Sequence, residues 1–130
     1  MAQSIKLGSN TYLDSSGVTV DSSGTTLKDF LSGINGFKKF TLNSNSSKAL
    51  TFKASSYSRC LLILDGYSLG TKGLYIATCT NSGTLSVVAI SAGSNLTYTT
   101  SSYTLTFSNS STSNTSYIEV VIFAGDVTST

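Results

Sequence analysis

From residue 37 onward, apolar and polar positions follow the two-residue period of β-strands. Eight segments are rich in β-branched and aromatic residues, and turn-forming Gly, Asn and Ser separate them. Their spacing of about 8 to 14 residues predicts an all-β fold, an antiparallel β-sandwich or jelly roll. The predicted strands are 37–42, 49–54, 58–64, 72–80, 84–91, 96–100, 103–108 and 116–123.

These strands are of two kinds. In some, apolar and polar residues alternate, as at Phe40 and Leu42 or at Leu50 and Phe52, which indicates one buried and one wet face. We assign these strands, with 103–107, to an outer sheet. Three others are apolar on both faces: 61–64, 87–90 and 120–123. Because a two-layer sandwich covers one face of each sheet, we expect subunit association to cover the other.

The first 36 residues differ from the rest of the chain. Asp14-Ser15-Ser16-Gly17 recurs as Asp21-Ser22-Ser23-Gly24, and Asp at the first position with Gly at the fourth suits a type I turn. The two predicted turns flank a short strand at 18–20. We therefore divide the chain into an amino-terminal leader or attachment segment, 1–36, and a β-sandwich domain, 37–130.

One helix is predicted within this leader. Thr26 is its expected N-cap, and the apolar residues after it have the spacing i, i+3, i+4 and i+7. A helix this short is stable only when docked on another surface. Its apolar stripe therefore supplies the candidate oligomer or attachment contacts, Leu27, Phe30 and Leu31.

Composition narrows the function. The 130 residues include 26 Ser and 19 Thr, but only 11% are charged and the net charge is +2. Nucleic-acid binding is not expected, because it needs clustered Lys and Arg. The chain contains no His, which removes the commonest general base and metal ligand. We expect no enzymatic activity, no catalytic residues, no metal and no cofactor.

Location follows from two further features. No apolar run approaches the roughly 20 residues that span a bilayer, so membrane insertion is not expected. Residues 1–20 lack the basic start and apolar stretch of a signal peptide, because polar residues interrupt every apolar group. We therefore expect synthesis in a cytoplasm, from which the chain reaches an exterior only by another route.

Individual reactive residues have structural interpretations. Cys60 and Cys79 lie inside apolar segments without metal-site spacing, and we interpret them as buried thiols, with a disulfide as the alternative. A glycosidase would need a pair of carboxylates. Among the carboxylates of the chain, Glu119 is unusual because it lies between the apolar residues Ile118 and Val120. We expect Glu119 to be a strand-end or interface charge that pairs with Arg59 or a lysine.

The segments 5–18 and 26–31 resemble the leader of small fibre and baseplate-associated proteins of bacteriophages and prophages. The body resembles their distal β-sandwich, through Phe40-Thr41-Leu42, 59–64, Gly73-Leu74-Tyr75-Ile76 and 118–123. The resemblance implies a homotrimer that projects from the virion. The chain lacks a long shaft, a heptad repeat or a collagen-like repeat, which favours a short spike, head fibre or decoration protein over a long tail fibre.

Two functions follow as hypotheses. The first is a virion structural protein, made in a bacterial cytoplasm, that binds other virion proteins through residues 1–36 and serves in host-surface adhesion. The alternative is a carbohydrate-binding module for a cell-surface glycan. Its candidate glycan contacts are Tyr67 and Tyr98, which lie in or beside loops rich in Gly, Ser and Asn.

Overall fold

The computed structural model describes residues 4–7, 10–14 and 36–130, and the chain divides into two compact units, 1–34 and 35–130. In the first unit, strands Ser4–Leu7 (β1) and Asn10–Asp14 (β2) pair antiparallel, with a register shift between Ile5 and Lys6. This pair was not predicted. The predicted strand at 18–20 and the helix stripe Leu27, Phe30 and Leu31 lie outside the described residues.

The second unit contains nine strands. They are Gly36–Leu42 (β3), Ser46–Phe52 (β4), Ser58–Gly66 (β5), Gly73–Cys79 (β6), Leu85–Ala92 (β7), Leu96–Ser101 (β8), Thr104–Asn109 (β9), Ser116–Ala124 (β10) and Val127–Ser129 (β11). A single 3-10 turn, Leu69–Thr71, lies between β5 and β6. All eight predicted strands are confirmed, and β11 is an additional short strand.

The nine strands form two antiparallel sheets that pack as a sandwich. One sheet has five strands in the order β3-β10-β5-β6-β7, and the other has four in the order β11-β4-β9-β8. The prediction of an all-β antiparallel sandwich is confirmed. The consecutive strands β5, β6 and β7 form a meander within the five-stranded sheet, whereas β3 pairs with β10 and β4 pairs with β9, which are distant in sequence.

One sheet assignment was wrong. The alternating strand β3 was grouped with β4 and β9, but it pairs with β10 at the edge of the five-stranded sheet. Alternation shows that one face of a strand is wet, and an edge strand beside apolar strands satisfies that condition equally well. The three doubly apolar segments belong to β5, β7 and β10, all in this same sheet.

The start of β4 also differs from its prediction, because the strand begins at Ser46 and not at residue 49. Asn45 adopts a left-handed backbone conformation with φ of 49°, which completes the turn from β3 within three residues. The strand then continues through polar residues. There the hydroxyl groups of Ser47 and Ser108 form a 2.7 Å hydrogen bond between β4 and β9.

The core lies between the sheets. Every strand of the second unit except β7 contributes at least one buried apolar side chain, and β7 adds the partly buried Leu85 and Val87. On β5 and β10 the inward positions are fully or almost fully buried, while the residues between them are half-buried or exposed. The buried apolar side chains are Leu42, Leu50, Phe52, Cys60, Leu62, Leu64, Tyr75, Ala77, Cys79, Leu96, Leu105, Phe107, Ile118, Val120, Ile122 and Val127.

The sandwich has two ends with different roles in the chain path. The chain enters at Gly36, opposite Ile122 of β10, and we name this end the entry end. At the other end, Ser116 of β10 lies opposite both Leu42 and Gly66. Four connections meet there, and we name them the tip loops: 43–45, 67–72, 93–95 and 110–115.

One side of the sandwich is tied by a lysine that points inward from β3. The ammonium group of Lys38 lies 2.8 Å from the carboxylate of Asp126 and donates a 2.6 Å hydrogen bond to the carbonyl of Val127. Asp126 also accepts a hydrogen bond from the backbone N–H of Val127. These contacts join β3, an edge strand of the five-stranded sheet, to β11, an edge strand of the four-stranded sheet. They lower the pKa of Asp126, chiefly through the hydrogen bond with Lys38.

We expect Asp126→Asn to reduce the free energy of unfolding by about 1 kcal/mol or less at pH 7, since the ion pair is partly solvated. Because the pKa of Asp126 is lowered on folding, its stabilisation is complete above the ordinary aspartate pKa and is lost as the pH falls through the lowered value. Urea unfolding at pH 7 and at acid pH should show that the difference in free energy of unfolding between wild type and variant is smaller at acid pH. Asp65→Asn, at a more exposed pair 3.5 Å from Lys72, is the control and should show a smaller effect.

Both cysteines lie on inward positions of neighbouring strands, β5 and β6. They are free and buried, which confirms the interpretation as thiols over the disulfide alternative. Burial raises the pKa of Cys60 to about 12 and also raises the pKa of Cys79. A thiol that is buried and protonated reacts slowly with electrophiles. These side chains therefore act as small core residues.

We expect Cys60→Ala and Cys79→Ala each to cost about 1 to 2 kcal/mol of stability through lost packing. A thiol-specific reagent should label neither cysteine in the native protein and both after unfolding in urea. An intact mass two hydrogens below that of the reduced chain, found under non-reducing conditions, would contradict the assignment.

Candidate functional site

Each of the three acidic side chains in residues 36–130 is paired with a lysine. Among residues 36–130, Glu119 lies 3.6 Å from Lys39, Asp65 lies 3.5 Å from Lys72, and Asp126 contacts Lys38. The expected lysine partner of Glu119 is confirmed, although Glu119 lies in the middle of β10 and not at a strand end. In this part of the chain no three metal-ligating side chains are grouped, and no helix is long and apolar enough to cross a membrane.

The outer face of the five-stranded sheet carries a continuous apolar row. Strand pairing places Val121 opposite both Phe37 and Leu61, Leu61 opposite Ile76, and Ile76 opposite Val88. We name these five residues the outer row. Phe37 is 70% exposed and Val88 is 58% exposed. With one residue from each strand, the row crosses the whole sheet, over about 19 Å at ordinary strand spacing.

A shallow depression of about 410 Å³ lies beside this row, between β3 and β10. Phe37 and Val121 of the outer row line it together with Ile63 and the ion pair of Lys39 and Glu119. The ammonium group of Lys39 also lies 4.7 Å from the centre of the Tyr117 ring. The pair of Lys39 and Glu119 carries no net charge, and Arg59 of β5 is exposed on the same face as the outer row.

The tip loops form the second distinctive surface, because backbone hydrogen bonds join all four of them. The N–H of Asn45 donates to the carbonyl of Ser111 at 2.7 Å, and that of Ser110 donates to the carbonyl of Asn95 at 2.9 Å. The N–H of Asn95 in turn donates to the carbonyl of Gly70 at 2.9 Å. Each loop is thus bonded to a neighbour, which restricts the motion of all four.

The side chain of Asn109, at the end of β9, reinforces this arrangement. Its amide group donates to the carbonyls of Asn43 at 3.3 Å and Asn114 at 2.8 Å, and its oxygen accepts from the N–H of Ser111. Asn109 is almost completely buried. A buried amide with these hydrogen bonds fixes the loops that supply its partners.

Close backbone packing completes the tip. A Cβ atom at Gly93 would collide with the carbonyl of Gly70, and one at Gly70 would lie 2.7 Å from the side-chain nitrogen of Asn95. Thr71, which follows Gly70, is fully buried, and its hydroxyl donates to the carbonyl of Ser68 at 2.9 Å. The loop at 67–72 therefore has a fixed backbone.

The two predicted glycan contacts have different environments. Tyr67 projects from this fixed loop and is 97% exposed. Tyr98 lies on β8, where its hydroxyl donates to the carbonyl of Val87 at 3.3 Å and its ring makes edge contacts with Tyr75 and Phe107. Burial, followed by the nearby Tyr98, raises the pKa of Tyr75. Tyr67 is available to a ligand, whereas Tyr98 already packs and hydrogen-bonds within the protein.

Sequence reasoning missed Leu69, which is 86% exposed beside Tyr67. Its separation from the core depends on the 3-10 turn and on the burial of Thr71. The run Tyr67-Ser68-Leu69-Gly70-Thr71 was recognisable only as a loop. The candidate attachment residues Leu27, Phe30 and Leu31 lie outside the described part of the chain.

Comparison of the chain with family models, with curated proteins and with solved structures gives no match. The surfaces that distinguish this chain are therefore the outer row and the tip loops.

We expect Gly93→Ala to reduce the free energy of unfolding by about 1 to 3 kcal/mol, because the added methyl group forces two backbone segments apart. Gly36→Ala is the matched control, since the nearest atom to its added Cβ is 3.9 Å away. Urea unfolding should show a lower midpoint for Gly93→Ala alone. Equal midpoints for the two variants would contradict the rigid packing of the tip.

Proposed function

We propose that this chain is a non-enzymatic structural protein of a bacteriophage virion, a short fibre, spike or head-decoration protein. The observation that carries the proposal is the outer row, since an apolar face across a whole sheet needs a partner to exclude water. The resemblance of the leader and of four strand segments to small phage fibre and baseplate-associated proteins supplies the class. The neutral, hydroxyl-rich composition agrees with it.

The partner for the outer row in this proposal is a second copy of the chain. The outer face of five strands, each about 25 Å long and 4.8 Å from the next, has an area of roughly 600 Å². This area approaches the roughly 800 Å² per partner of a standard interface. Lys39 and Glu119 pair within one copy, so they add no net charge to the interface, whereas Arg59 on the same face must stay at its solvated rim. The three-fold symmetry is an inference from the resemblance alone.

The two parts of the chain have different roles in this proposal. We assign residues 1–36 to attachment on other virion proteins, with Leu27, Phe30 and Leu31 as contacts. The sandwich projects from the virion and takes part in host-surface adhesion. The proposal includes neither nucleic-acid binding nor membrane insertion.

A free carbohydrate-binding module is the second candidate, and the exposure of Tyr67 favours it. The two functions differ in location, because a free module has no reason to copurify with particles. Mass spectrometry of purified phage particles, with immunogold labelling against this chain, separates them. Stoichiometric presence in particles supports the virion proposal, and absence from particles contradicts it.

We expect analytical ultracentrifugation of the purified protein to give a mass three times the 13.6 kDa of one chain. Ile76→Lys, within the outer row on β6, should shift the protein to monomer, because burying an unpaired ammonium group costs several kcal/mol. Thr99→Lys, on an exposed position of β8, is the control and should leave the assembly unchanged. A wild-type protein that remains a monomer at micromolar concentration contradicts the oligomer, and an Ile76→Lys trimer excludes the outer row as its interface.

A further inference from the structure

The tip loops present apolar side chains to solvent from a backbone that cannot easily withdraw them. Tyr67 and Leu69 are 97% and 86% exposed, yet the residues around them are hydrogen-bonded and closely packed. An apolar pair in this position contributes nothing to the core. A ligand that covers it gains contact area with little loss of loop entropy, because the loop is already ordered.

The surroundings of this pair define the chemistry of that ligand. Of the 18 residues in the four tip loops, 13 are Ser, Thr or Asn, and Lys72 is the single charged one. Its ammonium group lies 3.5 Å from the carboxylate of Asp65 and is paired. The tip therefore offers hydroxyl and amide groups around an aromatic ring, without a net charge to attract phosphates or acidic sugars.

We propose that the tip loops bind a neutral carbohydrate, with Tyr67 as the stacking platform and Leu69 extending the apolar contact. A sugar ring has an apolar C–H face, which stacks on an aromatic ring, and a rim of hydroxyl groups, which exchange hydrogen bonds with Ser, Thr and Asn. This inference deepens the proposed function, because it names the ligand class for host adhesion, and it rests on that function for the place where the ligand is met.

Tyr67 and Tyr57 are the two most exposed tyrosines among residues 36–130, but they lie at opposite ends of the sandwich. Tyr57 is 65% exposed and belongs to the connection between β4 and β5 at the entry end. It has the same ring and lacks the tip loops around it. Tyr57→Ala is thus a control for non-specific loss of an exposed aromatic residue, and Tyr67→Phe tests whether the ring alone is sufficient.

The test uses the full chain on an array of immobilised neutral oligosaccharides that contain glucose, galactose, mannose or N-acetylglucosamine. We expect saturable binding to at least one of them. Tyr67→Ala should weaken that binding by about tenfold or more, while Tyr67→Phe and Tyr57→Ala should stay within about threefold of wild type. Circular dichroism should show unchanged β structure, because the Tyr67 side chain lies outside the core.

Three results would overturn the inference. The first is that no neutral oligosaccharide binds saturably, and the second is that the chain binds only acidic polysaccharides or phosphatidylcholine vesicles. The third is that Tyr57→Ala weakens binding as much as Tyr67→Ala does. Particle analysis reports separately on the proposed function. A chain that binds neutral sugars but is absent from particles retains this inference and loses the virion assignment, whereas Tyr67→Ala should still enter particles if that assignment is correct.

Discussion

A two-layer sandwich can bury only one face of each of its sheets, and this constraint determines how the rest of the molecule is interpreted. The inner faces of both sheets fill the core with Leu, Val, Ile and aromatic side chains. On its outer face, the four-stranded sheet carries hydroxyl groups such as those of Thr99 and Thr106, which water can solvate. The five-stranded sheet carries the outer row instead. The asymmetry between two outer faces of one domain points to association through the more apolar one.

Charge is distributed unevenly among the strands. Residues 73–118 contain no Asp, Glu, Lys or Arg, so β6, β7, β8 and β9 have no charged side chain. The edge strands β3 and β11, in contrast, are tied together by Lys38. Natural sheets commonly use charges on edge strands to prevent unwanted pairing. The edge strands on the other side, β7 and β8, carry no such charges. There the hydroxyl of Tyr98 donates a hydrogen bond to the carbonyl of Val87, and a register shift interrupts the pairing of β7.

Much of the sandwich was predictable because strand burial is a local, two-residue pattern. The eight main strands, the doubly apolar segments and the buried cysteines all follow from it. Strand partners do not, which is why β3 was placed in the wrong sheet. The three-residue strand β11 is too short to carry a period, and Val127 alone marks its buried side. The tip was identifiable only in part: Tyr67 stood out as an aromatic residue in a loop, but the bonds that fix its backbone join residues distant in sequence.

The outer row and the tip differ in how they limit change in the sequence. A row across five strands depends on the register of every pair, so a polar substitution at any position interrupts a surface that must be covered as a whole. At the tip, the backbone is held by glycines, buried Thr71 and Asn109, while Tyr67 and Leu69 make no core contacts. Side chains at such positions can be exchanged without loss of fold. Under the proposed function, the molecule combines an interface that tolerates little variation with a binding surface whose specificity can change while the fold is kept.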